Sequence, residues 1–262
     1  MDEVTNVLTM NAKYSVEYQT ELLPISAVHI HRNDQGSADL QVIVTGSNNK
    51  DYAVKQLSDG SGYIPATELF CYELARLIEL PTPNYDLILM RDESLAFGSL
   101  WEGGVHKISD QNQVIDILTG KKPIRELSRF LSRVYAFDLF INNIDRHFGN
   151  YLFRESYNSM IGLAFDYSRA WYEINAYGYE SLEDESTKTR VCHNIIREFK
   201  KYDRKAAVET LDKISEIKKT DIANLLSKIP DCWLSNEVKD EVVSWWESEH
   251  MAARLMKLKG GV

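Results

Sequence analysis

The stretch Phe137 to Phe153, FDLFINNIDRHFGNYLF, places an acid (Asp145), two potential cations (Arg146 and His147) and an amide (Asn150) directly after an apolar run. The segment leading into it, IRELSRFLSRVYAFDLFINN, repeats its apolar residues at helical spacing. Downstream, NYLFR (Asn150 to Arg154) and MIGLAFDY (Met160 to Tyr167) are short strand-like runs joined by ESYNS, which predicts a β-hairpin. Asp145 and Asn150 then stand at the end of a helix and Asp166 on the second strand of the hairpin, an order of elements that can bring all three together. Phosphoryl transfer from ATP needs an acid or positioning group at the acceptor hydroxyl and oxygen ligands for a Mg²⁺ that bridges the phosphates. The D-x-x-x-x-N spacing followed by a strand-borne aspartate supplies that set: Asp145 orients or deprotonates the acceptor hydroxyl, and Asn150 and Asp166 hold Mg²⁺.

Such a design also calls for a strand lysine on the phosphates and a helix carboxylate beside it. From Lys13 to Leu57, the runs YSVEY, ISAVHIH, DLQVIVTG and DYAVKQL are separated by turn-forming RNDQGSA and GSNNK, which predicts an antiparallel sheet. The SNNK spacer predicts a hairpin in which Asn48 and Asn49 can take positive φ. Lys55 lies at the end of the last of these strands, and the helical segment ATELFCYELARLIEL that follows offers Glu68, Glu73 and Glu79. Spacing alone leaves Glu68 and Glu73 both open. NYDLILM and LAFGSLW complete a roughly five-stranded sheet with one helix, ending near EGGVHK, whose glycines read as a hinge or linker. Leu100 and Trp101, just before that point, are the candidate backbone contacts for an adenine base.

Beyond it the pattern is helical: NQVIDILTG, the long segment before Asp145, and three amphipathic stretches from about Glu185 to Lys259. The expected fold is α+β and bilobal: an N-terminal antiparallel β-lobe with one helix over residues 1–103, for nucleotide, and an α-rich catalytic lobe over residues 104–262. A net charge of −9 argues against a general nucleic-acid binder, which needs a basic face. Cys71, Cys192 and Cys232 are too scattered for a disulfide framework or a CxxC metal site. The N-terminus lacks a basic stretch followed by an apolar core, and no window reaches a membrane-spanning length. The expectation is a soluble, cytoplasmic protein without membrane association.

YAVKQL, ELFCYELARLIELPTP, FGS, NNIDRHFGNYLF and LAFDYSRAW together resemble the HipA-like kinases, in particular their compact single-domain branch. The resemblance covers roughly Gly36 to Trp171 and implies a protein-kinase-like fold, ATP and Mg²⁺ as cofactors, and transfer to a serine or threonine hydroxyl of a protein substrate. It implies Lys55 as the ATP lysine, Asp145 as the catalytic aspartate, and Asn150 and Asp166 as metal ligands; the family's distance from the helix glutamate to the LP dipeptide selects Glu68. Asp166 is followed by Tyr-Ser where typical protein kinases have Phe-Gly. The phosphate loop, RNDQGSADLQV, offers only Gly36 and Ser37, a turn whose backbone N–H groups make a shallow anion nest. By the same resemblance, Ser37 is the residue to suspect of autophosphorylation, and a toxin role with an antitoxin-like partner is implied.

Other residues have plainer readings. Arg146 either meets a substrate or phosphate charge or braces Asp166 or another acid, and His147 suits the hydrogen-bond frame of a tight loop. His29 and His31 share a strand face without a third metal ligand, and Trp245 and Trp246 suit core packing. Two alternatives stand beside the protein kinase. DRHFGN also resembles the loop of phosphoinositide kinases, so a small-molecule or lipid kinase is one. The other is a nucleotide-binding pseudokinase or interaction module, which the sparse phosphate loop favours and the retained Lys55, Asp145, Asn150 and Asp166 oppose.

Overall fold

The computed structural model describes residues 23–32, 42–101, 105–108, 110–156, 159–174 and 184–262. The expected strand YSVEY, the phosphate-loop residues Gly36 and Ser37, and the glycines of EGGVHK lie outside these.

Five strands form a closed barrel in the order β1-β2-β3-β5-β4: β1 (Ile25–Arg32), β2 (Val42–Gly46), β3 (Asp51–Lys55), β4 (Tyr85–Leu89) and β5 (Leu95–Trp101). The expected antiparallel sheet is modified at one seam, where Ile25 and Ser26 of β1 pair in parallel with Ile88 and Leu89 of β4. That contact removes both free edges of the sheet. The turn between β2 and β3 is the expected hairpin, with Gly46 N–H bonded to the Lys50 carbonyl and Asn49 at φ +58°. Alternation along β3 sends Tyr52 and Val54 into the barrel, where they pack with Val44, Ile88, Met90 and Ala96. Lys55 falls on the opposite face and is nevertheless buried, so something outside the barrel covers it. Gly98 of β5 lies so close to Ile88 that a Cβ there would approach its Cγ1 to 2.6 Å.

That cover comes from the large second core, which contains α1 (Ile64–Leu77). Residues Ile64 to Ala75 of this helix are all buried, as befits a helix packed on every side. Just past its end, the carbonyls of Ile78 and Glu79 accept from the Arg133 guanidinium at 2.8 Å each. The core continues into α2 (Gln111–Thr119) and α3 (Leu127–Phe140). Just after the glycines of EGGVHK, β6 (Val105–Lys107) joins the predicted hairpin, β7 (Tyr151–Ser156) and β8 (Ser159–Ala164), in a second sheet of order β6-β7-β8.

After a short α4 (Trp171–Ile174), the three expected amphipathic stretches prove to be five helices: α5 (Lys188–Glu198), α6 (Arg204–Glu216), α7 (Lys219–Leu226), α8 (Asn236–Trp245) and α9 (Glu249–Gly261). The divisions have a local cause. Thr187, Asp203, Ser235 and Ser248 each accept a backbone N–H from the first turn of the helix they precede, and each restarts the chain. α3 is the hub, packed against α5, α6 and α9, and its C-terminal carbonyls at Leu139 and Phe140 accept from the buried Arg254. Trp246 is a core residue whose indole N–H donates to the Ile217 carbonyl. No helix among the described residues is long and apolar enough to cross a membrane.

Candidate active site

The loop leaving α3 is held by one buried pair. Arg146 grips Asp138, two turns back on α3, with Nε to Oδ2 at 2.8 Å and Nη2 to Oδ1 at 3.0 Å. Its remaining nitrogen donates to the carbonyls of Asn150 (3.0 Å) and Phe165 (2.5 Å), tying the loop to the hairpin. The rings of Tyr151 and Tyr167 lie beside the guanidinium. Burial disfavours its charge, yet Asp138 outweighs that and holds Arg146 well above the ordinary arginine pKa. Of the two readings the sequence left open, the geometry is that of a brace, and the acid braced is Asp138 rather than Asp166.

Asn143 completes the frame, donating to Asp138 at 2.8 Å and accepting the Asp145 N–H at 3.1 Å. His147 caps the 3₁₀ turn Phe148–Asn150, its Nδ1 accepting the Gly149 N–H. Burial lowers its pKa, so it serves as a neutral element of the frame. The Asn150 amide nitrogen donates to the Asp145 carbonyl at 3.3 Å, which turns Oδ1 the other way. Asp145 and Asn150 are thus directly linked.

Asp166 sits just past β8 at φ +60°, a left-handed conformation costly for a residue with a Cβ. The surroundings hold it there: Arg146 takes the preceding carbonyl, and Glu68 of α1 accepts the following N–H, of Tyr167, at 3.0 Å. The Ser168 hydroxyl is within reach of both acids, 2.9 Å from Glu68 Oε1 and 2.7 Å from Asp166 Oδ1. Lys55 Nζ lies 3.5 Å from Asp166 Oδ1. Burial and the charge of Asp166 push Glu68 up to about 7, an effect Lys55 only partly offsets. Burial also acts on Asp166, but there Lys55 and the Ser168 hydroxyl reverse it and hold the carboxyl below its usual range. Glu73, the other helix acid, is engaged elsewhere, by Tyr85, Arg76 and Lys228.

α1 is tied to the segment after Asp166 a second time. The Glu173 carboxylate accepts Ser61 N–H and Ser61 Oγ at 2.7 Å each and Tyr63 N–H at 3.2 Å, at the N-terminus of α1. Gly60, at φ +59°, makes room for it, since a Cβ there would fall 2.2 Å from Glu173 Oε1. Phe70 of α1 stacks on Trp171 at 3.8 Å between centroids.

Three residues of the site carry no role read from the sequence, although Ser168 lies within LAFDYSRAW. Ser168 bridges the two acids, Glu173 anchors α1, and Lys188, in the first turn of α5, forms an ion pair with Asp145 at 2.7 Å. The neighbouring Thr189 hydroxyl donates to the Asn143 carbonyl at 2.6 Å and accepts Arg146 N–H at 3.0 Å. Apart from Ser168 with Asp166, two residues away, these pairings join distant segments, so no spacing announces them. Leu100 and Trp101 lie on β5, with the Leu100 N–H committed to the Asn84 carbonyl at 2.8 Å and Trp101 half exposed opposite Asp51. An adenine contact in this segment therefore has to use other groups than that N–H.

For a metal, Asn150 and Asp166 offer one amide and one carboxylate oxygen set; among the described residues no group of three or more His, Cys, Asp or Glu could form a closed site. Such a sparse oxygen set fits Mg²⁺, which keeps water and phosphate oxygens in its shell. It does not fit a structural zinc.

A family model described as HipA-like kinase matches residues 27–260. No curated protein matches by sequence. Among solved structures, the proinflammatory kinase CtkA of Helicobacter pylori is similar over 90% of this chain and 99% of its own, with a TM-score of 0.57 and 14% identity. The HipA of the Shewanella oneidensis toxin–antitoxin complex with HipB and operator DNA aligns over 96% of this chain and 70% of its own (TM-score 0.48, 11% identity). A LepB fragment from Legionella pneumophila aligns over 88% and 46% (TM-score 0.47, 14% identity).

Proposed function

We propose, from the premise that this chain belongs to the HipA-like kinase family, that it is a kinase transferring the γ-phosphoryl group of ATP to a serine or threonine hydroxyl of a protein. The observation that carries this is the meeting of Lys55, Glu68 and Asp166, from a strand, a helix and the end of a hairpin, around the Ser168 hydroxyl. A lysine buried beside Asp166 suits a site built to receive phosphates.

In this reading the barrel and α1 form a nucleotide lobe, residues 1–103, and the rest a catalytic lobe, residues 104–262. Lys55 binds the α- and β-phosphates, and Glu68 fixes the Asp166 backbone that Lys55 faces. Gly36 and Ser37 cover the phosphates with backbone N–H groups. Asn150 and Asp166 hold Mg²⁺, which when bound neutralises charge on the phosphates. Asp145 takes the proton of the acceptor hydroxyl as its oxygen bonds to the γ-phosphorus and the bond to ADP breaks. The frame of Arg146, Asp138 and Asn143 keeps Asp145 at a fixed distance from that phosphorus, as phosphoryl transfer demands.

The test is incubation with radiolabelled ATP and Mg²⁺, using cell extract as acceptor, with wild type and Asp145→Ala side by side. Label entering protein with wild type and lost with the variant supports the proposal. Nucleotide binding without label or ATP consumption would sink it and leave a nucleotide-sensing module.

A further inference from the structure

Among the described residues, Arg146, His147, Lys55 and Lys188 stand at the candidate site, and the first three have fixed places in it. Arg146 is sealed on Asp138, His147 is held neutral with Nδ1 on Gly149 N–H, and Lys55 faces Asp166. The fourth, Lys188, is 60% exposed and makes the ion pair with Asp145.

Structure alone does not account for it. The docking of α5 on the loop is carried by the buried Thr189, through Asn143 and the Arg146 N–H, and by Thr189 N–H on the Ile144 carbonyl. An exposed ion pair adds little to that, typically about 0–1 kcal/mol. A lysine in the first turn of a helix also opposes the helix dipole, so local preference is against it. A charge kept at an unfavourable position, beside the group that takes the acceptor's proton, marks a site built for chemistry.

We infer that Lys188 is a further catalytic residue, whose ammonium passes from Asp145 to the phosphoryl oxygens as transfer proceeds. The inference rests on the phosphotransfer reading above. Its charge balance is simple. Before transfer, Asp145 is anionic and Lys188 neutralises it. As the acceptor hydroxyl gives its proton to Asp145, that carboxylate loses its charge, while the phosphoryl group brings charge to the same place. The oxygen–phosphorus bond to the acceptor forms, the bond to ADP breaks, and Lys188 keeps its proton throughout. An ammonium has three donors on a flexible stem and can make this exchange without backbone movement.

Full-length wild type, Lys188→Met, Lys188→Arg and the distant control Lys205→Met are compared for kcat and KM of ATP in protein labelling, for equilibrium nucleotide binding and for Tm. Loss of one charge-stabilising donor in a transfer site costs about 10²–10³ in kcat. The Met variant is expected to lose that much with KM for ATP, nucleotide binding and Tm unchanged, and the Arg variant to stay within about tenfold of wild type because the charge is kept. A Met variant with wild-type kcat, or an Arg variant as inactive as Met, would overturn the inference. Wild type that binds nucleotide and labels nothing overturns it together with the phosphotransfer reading, and is told apart because the failure precedes any substitution.

Discussion

Arg146–Asp138 and Lys55–Asp166 are both ion pairs of the candidate site, and they are built to opposite specifications. The first is sealed, at 1% and 0% side-chain exposure, and two-pronged. The remaining guanidinium nitrogen of Arg146 goes to carbonyls of the loop and the hairpin, at Asn150 and Phe165. The second is a single contact of 3.5 Å at 8% and 22% exposure, on an aspartate held in a left-handed conformation. A closed pair of this kind contributes uniqueness of geometry more than net stability, because desolvation cancels much of its attraction. The open pair leaves its aspartate partly exposed. In the proposed phosphotransfer reading, the difference separates frame from working parts within one cluster of side chains.

The sharpest way to break the comparison is Asp138→Ala, which leaves the Arg146 charge buried without its partner. It is expected to cost about 3–5 kcal/mol in urea unfolding; a cost below about 1 kcal/mol would mean the sealed pair is no frame. Lys55→Met should do the reverse, lowering protein labelling by about 10²–10³ while costing less unfolding free energy than Asp138→Ala, because Asp166 keeps 22% side-chain exposure and the Ser168 hydroxyl. If it destabilises as much as Asp138→Ala, the two pairs are of one kind. Glu173→Gln, which keeps the shape but removes the charge held at the start of α1, should cost about 1 kcal/mol. It is read as faster hydrogen exchange at the Ser61 and Tyr63 amides, with no change at Asn143 or Arg146.

The last is a pH control on a residue belonging to neither pair. His193 is buried face to face on Tyr135 at 3.6 Å, and burial, helped by Arg197 and Arg190, lowers its pKa to about 4. Unfolded histidine titrates near 6.5, about two units higher, so between the two values the unfolded chain binds the extra proton. The contribution is complete above about pH 6.5 and is lost as pH falls through about 4. His193→Phe keeps the stacking and should flatten that limb of a Tm-against-pH curve; an unchanged limb would assign it to other groups.

What was legible in the sequence was what the chain keeps local. The strand runs either side of SNNK put Lys55 at the end of a hairpin strand, and Asp145, Asn150 and Asp166 followed from a loop and a hairpin adjacent in sequence. Closure of the barrel was not legible, because the parallel seam is two residue pairs between distant segments, Ile25 with Ile88 and Ser26 with Leu89. β6 is three residues long and too short to show a period. Glu68 and Glu73 are both buried on α1, and only their partners tell them apart: Tyr167 and Ser168 for one, Tyr85 and Lys228 for the other. Lys188 reaches Asp145 only because Thr189 docks α5 on the loop, a pairing no window of sequence contains.

The stacking of Phe70 on Trp171 has a practical side. Indole emission shifts to longer wavelength when the ring meets water, and here the ring is buried against the helix that carries Glu68. Of the five tryptophans, this one is placed to register displacement of α1. A chain in which Trp171 alone is retained would carry its own optical gauge, reporting by colour whether the helix has left its seat when nucleotide is added.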